Sequence, residues 1–323
     1  MDVPVAALRA ASAAMAVTPA PLANLAARAV ANGIATLSPD ERRMVARNLR
    51  RAGIHPRGPV AGRLAVQEVF DSYARYWVDT LRLPHLSNDE VADGLVVDGY
   101  EYIEQSFATG TPPILALPHL GGWEWAARWL RDVKGVPVAA VVEEIEPPEL
   151  YEWFLEVREA LGLHVIPLSD GAAGVGAALA AGEIVCLLCD RDISGAGIEV
   201  DFFGETTTLP GGPALMSIRS GAPLLPAAVY FEGSRCRGVV SPPLDTRRLG
   251  RLREDVTRVT QDLAHVLEEQ IRRAPEQWHL LQPNWPSDHE ALGTTPPGGT
   301  KGSSPRPGGG AAAPGTGRSD AAR

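Results

Sequence analysis

The 323-residue sequence is poor in cysteine and in long apolar runs, and it has no excess of basic charge. Its three cysteines, Cys186, Cys189 and Cys236, cannot make the disulfide framework of a small secreted domain, and a reducing compartment fits them best. Cys186 and Cys189 have CxxC spacing but lie inside the apolar run 184–189. They read as two small buried thiols, with no second pair to complete a zinc site. No segment offers about 20 uncharged apolar residues, so no spanning helix is expected. The first residues lack a positive start before an apolar stretch, which does not match a signal peptide. A formal charge of −9 argues against nucleic acid as the main partner. No G-x-S-x-G occurs, so a serine hydrolase has no nucleophile elbow. Gly174 and Gly176 lack the third glycine of a dinucleotide loop, and that stretch reads as a small-residue helix packed closely on a sheet. No internal repeat is present.

What is there begins with size, because 323 residues can bury a large core. Charge is uneven. Between Glu41 and Arg63 stand seven arginines (Arg42, Arg43, Arg47, Arg50, Arg51, Arg57 and Arg63) against one acid. Such a run meets anionic headgroups or forms a solvated helix face. The Ala-rich stretch 1–35 reads as an interfacial helix, a helical pair, or a helix packed on the domain. Helical spacing continues over 39–52 and 62–82. From residue 95 the pattern alternates, with strands expected at 95–98, 114–117, 137–142, 164–167, 184–189, 224–230 and 237–240. Helices are expected at 99–108, 123–133, 148–161, 171–181, 212–220 and 252–273. Alternation of this kind predicts an α/β fold, a mostly parallel central sheet flanked by helices, after a helical N-terminal region. From about Ser287 the chain turns to Gly, Pro, Ser, Thr and Ala, and 287–323 is expected to be a disordered tail.

The chemistry concentrates in Leu117-Pro118-His119-Leu120-Gly121-Gly122-Trp123-Glu124. A buried strand ends at Pro118, so the imidazole sits where open α/β sheets place their reactive groups. Histidine titrates near neutrality and can take a proton from an alcohol. A second acidic group, Asp190-Arg191-Asp192, ends another buried run, and Asp190 can converge on His119 from a neighbouring strand. A carboxylate there fixes the imidazole tautomer and stabilises the imidazolium. Glu124 is the other candidate acid, sharing a face with His119 only if the histidine precedes the first helical turn. Asp190 and Asp192 also match the DxD of metal-dependent glycosyltransferases, which hold a divalent ion on a nucleotide-sugar diphosphate. Phe202-Phe203-Gly204-Glu205 and Pro210-Gly211-Gly212-Pro213 read equally as a loop over the site or as an apolar plug and a turn before a helix. Trp278 and Trp285 are expected to close the core.

HLGGWE resembles the HX4D/E signature of the glycerolipid and lipid A acyltransferase superfamily. The surrounding blocks look closest to the actinobacterial phosphatidylinositol mannoside acyltransferases: Tyr73-Ala74-Arg75-Tyr76-Trp77, Asp190-Arg191-Asp192, Phe202-Phe203-Gly204-Glu205 and Trp278-His279-Leu280-Leu281-Gln282-Pro283. The resemblance implies one acyltransferase domain over 1–286, with a buried acyl groove and a membrane-facing helical part at 1–82. It implies peripheral attachment to the cytoplasmic face of the cell membrane through an anionic lipid surface. The reaction implied is transfer from acyl-CoA, a co-substrate, to a hydroxyl of a glycolipid, the mannose of a phosphatidylinositol mannoside. Other lipid acceptors, lysophospholipids among them, stay open. No cofactor and no metal ligands are implied. By position, His119 matches the general base, Asp190 the acid that orients it, and Glu124 the signature acid. Arg158 falls where a basic residue pairs with that acid, and Glu143 at an acceptor-site position. Arg191 or the Gly121-Gly122 backbone is a candidate oxyanion donor. Two departures stand out. Asp190 is a methylene shorter than the glutamate of the relatives, and Glu144 replaces a basic residue beside Glu143.

Overall fold

The computed structural model describes residues 9, 10, 12–15 and 18–295. Three helices come first: α1 (Ala20–Leu37), α2 (Pro39–Arg51) and α3 (Pro59–Arg82). Proline opens α2 and α3, a position where its missing N–H has no intrahelical partner to lose. The three pack through Ala31, Ala35, Val45, Leu49, Val66 and Phe70.

The α/β part follows in chain order. It runs α4 (Asn88–Gly94), β1 (Leu95–Asp98), α5 (Tyr100–Ala108), β2 (Ile114–Leu117), α6 (Trp123–Asp132), β3 (Val138–Val142), α7 (Pro148–Ala160) and β4 (His164–Pro167). Next come α8 (Gly171–Ala180), β5 (Ile184–Leu188), β6 (Ile198–Phe202), β7 (Glu205–Leu209), α9 (Gly212–Ser220), β8 (Leu224–Glu232), β9 (Arg235–Val240), α10 (Leu252–Arg273) and α11 (Pro286–Leu292). Seven strands form one sheet in the order β1-β9-β8-β2-β5-β3-β4. The pairs are parallel except β8 with β9. The sheet is therefore mostly parallel and helix-flanked, as the alternation predicts.

The central strands β2, β5 and β3 are apolar at every position because helices cover both faces. Ile114 and Ala116 of β2 face α8, α9 and α10, joining Val175, Ala214 and Leu263 in one core. Leu115 and Leu117 face the other way, onto Ala127 and Leu130 of α6. Cys186 and Cys189 likewise fall in opposite cores, so CxxC spacing on a strand holds the two thiols apart. Burial pushes the Cys186 and Cys236 thiols up to about 12 and Cys189 well above the ordinary range.

Four elements, α4, β6, β7 and α11, were not anticipated. α4 is closed by a capping box in which Ser87 Oγ accepts from the Glu90 N–H and the Glu90 carboxylate accepts from the Ser87 N–H. β6 and β7 form a separate hairpin turning at Phe203 and Gly204, with φ of 57° and 74°. Two successive positive φ angles suit a tight hairpin, yet Phe203 is no usual turn residue. It is held there by its N–H, which donates to Glu268 Oε1 at 2.6 Å, and by ring contacts with Phe202 and Trp278 at 4.7 and 5.5 Å. The FFGE block is thus a hairpin turn plugged into the core rather than a loop over the site.

α11 corrects the expected tail. Asp288 is fully buried and accepts hydrogen bonds from Arg47 and Arg51 of α2, so ordered structure continues past residue 287. Arg51 also stacks 3.8 Å above the buried Trp285 ring and pairs with Glu205. Composition hid this because the partners of Asp288 lie about 240 residues away. The remainder of the expected tail, 296–323, lies outside the described residues, as do 1–8, 11, 16 and 17 of the N-terminal stretch. Among the described residues no helix is long and apolar enough to cross a membrane.

Candidate active site

The parallel register of β2 and β5 pairs Leu117 with Leu188. His119 and Asp190 each lie two residues further along, so the two chains deliver them side by side at the carboxyl edge of the sheet. His119 Nδ1 meets Asp190 Oδ1 at 2.6 Å. The shorter aspartate therefore reaches the imidazole without help. Asp190 is fully buried, while the His119 side chain is about one-third exposed at 32%. With Nδ1 bonded to a carboxylate, the ring carries its proton there and presents Nε2 as the free base.

Burial alone would raise the Asp190 carboxyl. The charge and hydrogen bond of His119 and the indole N–H of Trp278 outweigh it and hold the group below the usual carboxylate range. Trp278 Nε1 donates to Asp190 Oδ2 at 2.7 Å. Trp278 does close the core, as expected, and in addition it fixes the acid. This second role had no local signal in the sequence. It exists because Gln277-Trp278-His279 lies antiparallel against the His119 loop, with Gly121 N–H donating to Gln277 O at 3.0 Å and His279 N–H to His119 O at 2.8 Å. Trp285, by contrast, is purely a core residue, its indole N–H donating to Phe202 O.

Gly121 lies at φ +57°, and a Cβ there would meet Val229 O at 1.9 Å. Only glycine fits the approach of this loop to β8. The same geometry uses up the Gly121 N–H, which removes it as an oxyanion donor. The Gly122 N–H and Arg191 remain as candidates. Arg191 Nη2 donates to Glu143 Oε2 at 3.0 Å, and both side chains line the central cavity. Glu144 points elsewhere, accepting from Ser169 N and Oγ at 3.1 and 2.7 Å.

Glu124 sits in the first turn of α6, which starts after His119, so both groups do reach the same region. The carboxylate is fully buried and accepts from Tyr76 OH at 2.5 Å. Its Oε2 and the Nε of Arg158 are both buried without a hydrogen-bond partner. The expected Glu124–Arg158 pair is not formed as a hydrogen-bonded ion pair among the described residues. Burial raises the Glu124 carboxyl, and Arg158 and Tyr76 only partly offset that. The two residues are neighbours through charge, not through a bond, because Arg158 lies against the Phe154 ring.

Asp192 is filled by its own loop. Its Oδ1 accepts from Ser194 N, Ser194 Oγ and Gly195 N, and its Oδ2 from Gly197 N and Thr208 Oγ1, all within 3.1 Å. Asp190 is likewise engaged by His119 and Trp278, so the DxD reading loses both of its carboxylates to protein donors.

A second histidine lies at the site. His279 Nε2 is 2.9 Å from Ser72 Oγ, and its ring packs 5.3 and 5.6 Å from Tyr73 and Tyr76. Burial, reinforced by His119, pushes its pKa down to about 3, so this imidazole stays neutral. Around these groups opens a cavity of about 480 Å³. Aromatic side chains of α3 form one wall, and Ala140, Cys186 and Leu188 another. Pro210, Gly212 and Pro213 add the start of α9, so the PGGP block both turns into a helix and borders the cavity.

A base held by a buried carboxylate and opening on a large apolar cavity is suited to direct transfer of a hydrophobic acyl group to an alcohol. The chain belongs to the bacterial lipid A biosynthesis acyltransferase family, whose model matches residues 5–287. It is 38% identical over 224 residues to a phosphatidylinositol mannoside acyltransferase of Mycobacterium tuberculosis, covering 68% of this chain and 69% of that one. It is 38% identical over 246 residues to the enzyme of that name from Mycolicibacterium smegmatis, covering 75% and 79%. The solved structure of a 1-acyl-sn-glycerophosphate acyltransferase from Thermotoga maritima aligns at TM-score 0.34 and 14% identity, over 78% of this chain and 98% of that one.

Proposed function

We propose that this acyltransferase moves a fatty acyl chain from acyl-CoA to a hydroxyl on the mannose of a phosphatidylinositol mannoside, at the cytoplasmic face of the cell membrane. The observation that carries the chemistry is the His119–Asp190–Trp278 chain of hydrogen bonds, whose histidine lines the apolar cavity. In this reading His119 Nε2 removes the acceptor hydroxyl proton as the oxygen attacks the thioester carbonyl. Asp190 stabilises the imidazolium, and collapse of the tetrahedral intermediate expels the CoA thiolate, which takes up the proton. Arg191 donates toward the oxyanion. Glu143 and Arg158 face the cavity where a polyhydroxylated, anionic acceptor is to be recognised. The relatives at 38% identity support the choice of acceptor.

Membrane attachment is supported by the outer face of the N-terminal helices. Leu22, Leu25 and Leu37 of α1 and Val60 and Leu64 of α3 are exposed, and so are Arg50, Arg57 and Arg63. Arg47 and Arg51 are excluded from any such surface, because they are committed to Asp288. The test is incubation of purified protein with radiolabelled palmitoyl-CoA and phosphatidylinositol mannosides in anionic vesicles, with mass spectrometry of the product. Acylation on mannose is the expected result. Transfer only to lysophospholipid would overturn the acceptor, and failure with palmitoyl-CoA together with transfer from an acyl carrier protein would overturn the donor.

A further inference from the structure

We propose that Asn284 is a positioning residue for acyl transfer: it fixes the Asp190–Arg191 peptide, and through it the aim of the Asp190 carboxylate at His119. The inference rests on the reading of His119 as the general base. β5 ends at Leu188, so the Asp190 carbonyl lies beyond the strand ladder and needs a donor from elsewhere. Among the described residues that donor is the Asn284 side chain, with Nδ2 3.1 Å from Asp190 O. Trp278 Nε1 meanwhile holds Asp190 Oδ2 at 2.7 Å. Both donors belong to one short strap, so a single segment grips Asp190 by its main chain and by its side chain. With the carbonyl freed, Asp190 could turn about its backbone, and a bond of 2.6 Å to the imidazole tolerates little of that.

The strap has no regular secondary structure between His279 and Trp285, and side chains of other elements place it. Asn48 of α2 donates to Leu280 O at 2.8 Å, and Thr207 Oγ1 of β7 donates to Asn284 O. The Asn284 N–H donates to Asp288 Oδ2 at 3.3 Å, and Asp288 is the carboxylate that Arg47 and Arg51 of α2 hold. Asn284 is thus pinned by its own backbone before its side chain reaches Asp190, which makes its amide a fixed donor. His279, Leu280 and Gln282 of the same strap line the cavity, whereas Asn284 does not. Its effect on transfer therefore runs through Asp190 and Arg191 and not through contact with substrate.

The experiment is a double-mutant cycle on kcat with the full chain. Asn284→Ala should lower kcat by about 10- to 100-fold, as a small misplacement of a reacting group does, with KM changed less than about twofold. In Asp190→Asn the carboxylate is already gone, so adding Asn284→Ala should cost less than about twofold further. A merely structural residue would lower both backgrounds by the same factor. Asn284→Ser keeps a polar group but stops one bond short of Asp190 O; it should behave as alanine does, and it serves if the alanine variant does not fold. A second readout needs no substrate. The His119 Nδ1 proton sits in a short charge-assisted bond and resonates far downfield in isotope-labelled protein, and Asn284→Ala should move it upfield. Native kcat with an unmoved proton overturns the positioning role and leaves His119 standing as the base. Equal losses in both backgrounds overturn it as well. A His119→Ala enzyme with native turnover overturns the general-base reading and this inference together.

Discussion

Asp190→Asn isolates what the buried carboxylate does, because it keeps the shape and removes the charge. In the native site Oδ2 accepts from the Trp278 indole at 2.7 Å and Oδ1 faces His119 Nδ1 at 2.6 Å. An indole N–H only donates, so it requires the amide oxygen of the asparagine on its side. The amide NH2 is then turned toward His119, and Nδ1 must accept instead of donating. That places the imidazole proton on Nε2, where it blocks the base. Loss of tautomer and of the counter-charge together should lower kcat by about 10³–10⁴, roughly 4–5 kcal/mol of barrier. The backbone contact from Asn284 Nδ2 to Asp190 O is untouched, so thermal stability should change little. The geometry makes a sharper demand. In Asp190→Asn with Trp278→Phe the amide is free to turn its oxygen to His119, and the double variant should be more active than Asp190→Asn alone. Steady-state transfer at saturating substrates, with melting curves as a folding control, decides the matter. An Asp190→Asn enzyme with more than a tenth of native turnover, or a double variant with fully additive losses, would refute the tautomer argument.

Four further outcomes follow from the structure. His119→Ala should lose about 10²–10⁴-fold in kcat with substrate binding nearly intact, read by transfer rates beside equilibrium binding, and turnover above about a tenth contradicts a general base. Asp288→Ala leaves Arg47 and Arg51 facing a buried vacancy, and should cost about 2–3 kcal/mol in denaturant unfolding, somewhat below a fully enclosed pair because Arg47 reaches solvent. Truncation after residue 285 should be at least as harmful, whereas ending the chain at residue 295 keeps the contacts of α11 among the described residues and should leave the midpoint unchanged. Because His279 is neutral in the fold down to about pH 3, the unfolded chain takes up its proton first as pH falls below its ordinary value near 6.5. Stability should therefore be full above about pH 6.5 and fall by about 1 kcal/mol per pH unit below it, and His279→Gln should flatten that slope in denaturant titrations.

The sequence by itself determined the local elements and where their ends carry chemistry. Ile114–Leu117 and Ile184–Leu188 are continuous apolar runs because both of their faces are covered, and His119 and Asp190 were legible as the polar groups just beyond such runs. The helices from α5 to α10 were equally legible, because each keeps one face in the core and its periodicity is local. The hairpin β6–β7 had a signal, the alternation of Ile198, Val200 and Phe202, but a phenylalanine at the turn disguised it. Tertiary structure alone decided which ends meet. β5 inserts between β2 and β3, which places Asp190 beside His119, and no local pattern encodes that order. The Trp278 bond to Asp190, the capture of Asp288 by α2, and the sealing of Asp192 by its loop and Thr208 were settled in the same way. Each depends on residues distant in the chain, or on a loop closing over a carboxylate. Such contacts form only when burial of the sheet's two faces fixes which strands lie together, and that choice is made by packing the whole domain at once rather than by any one segment.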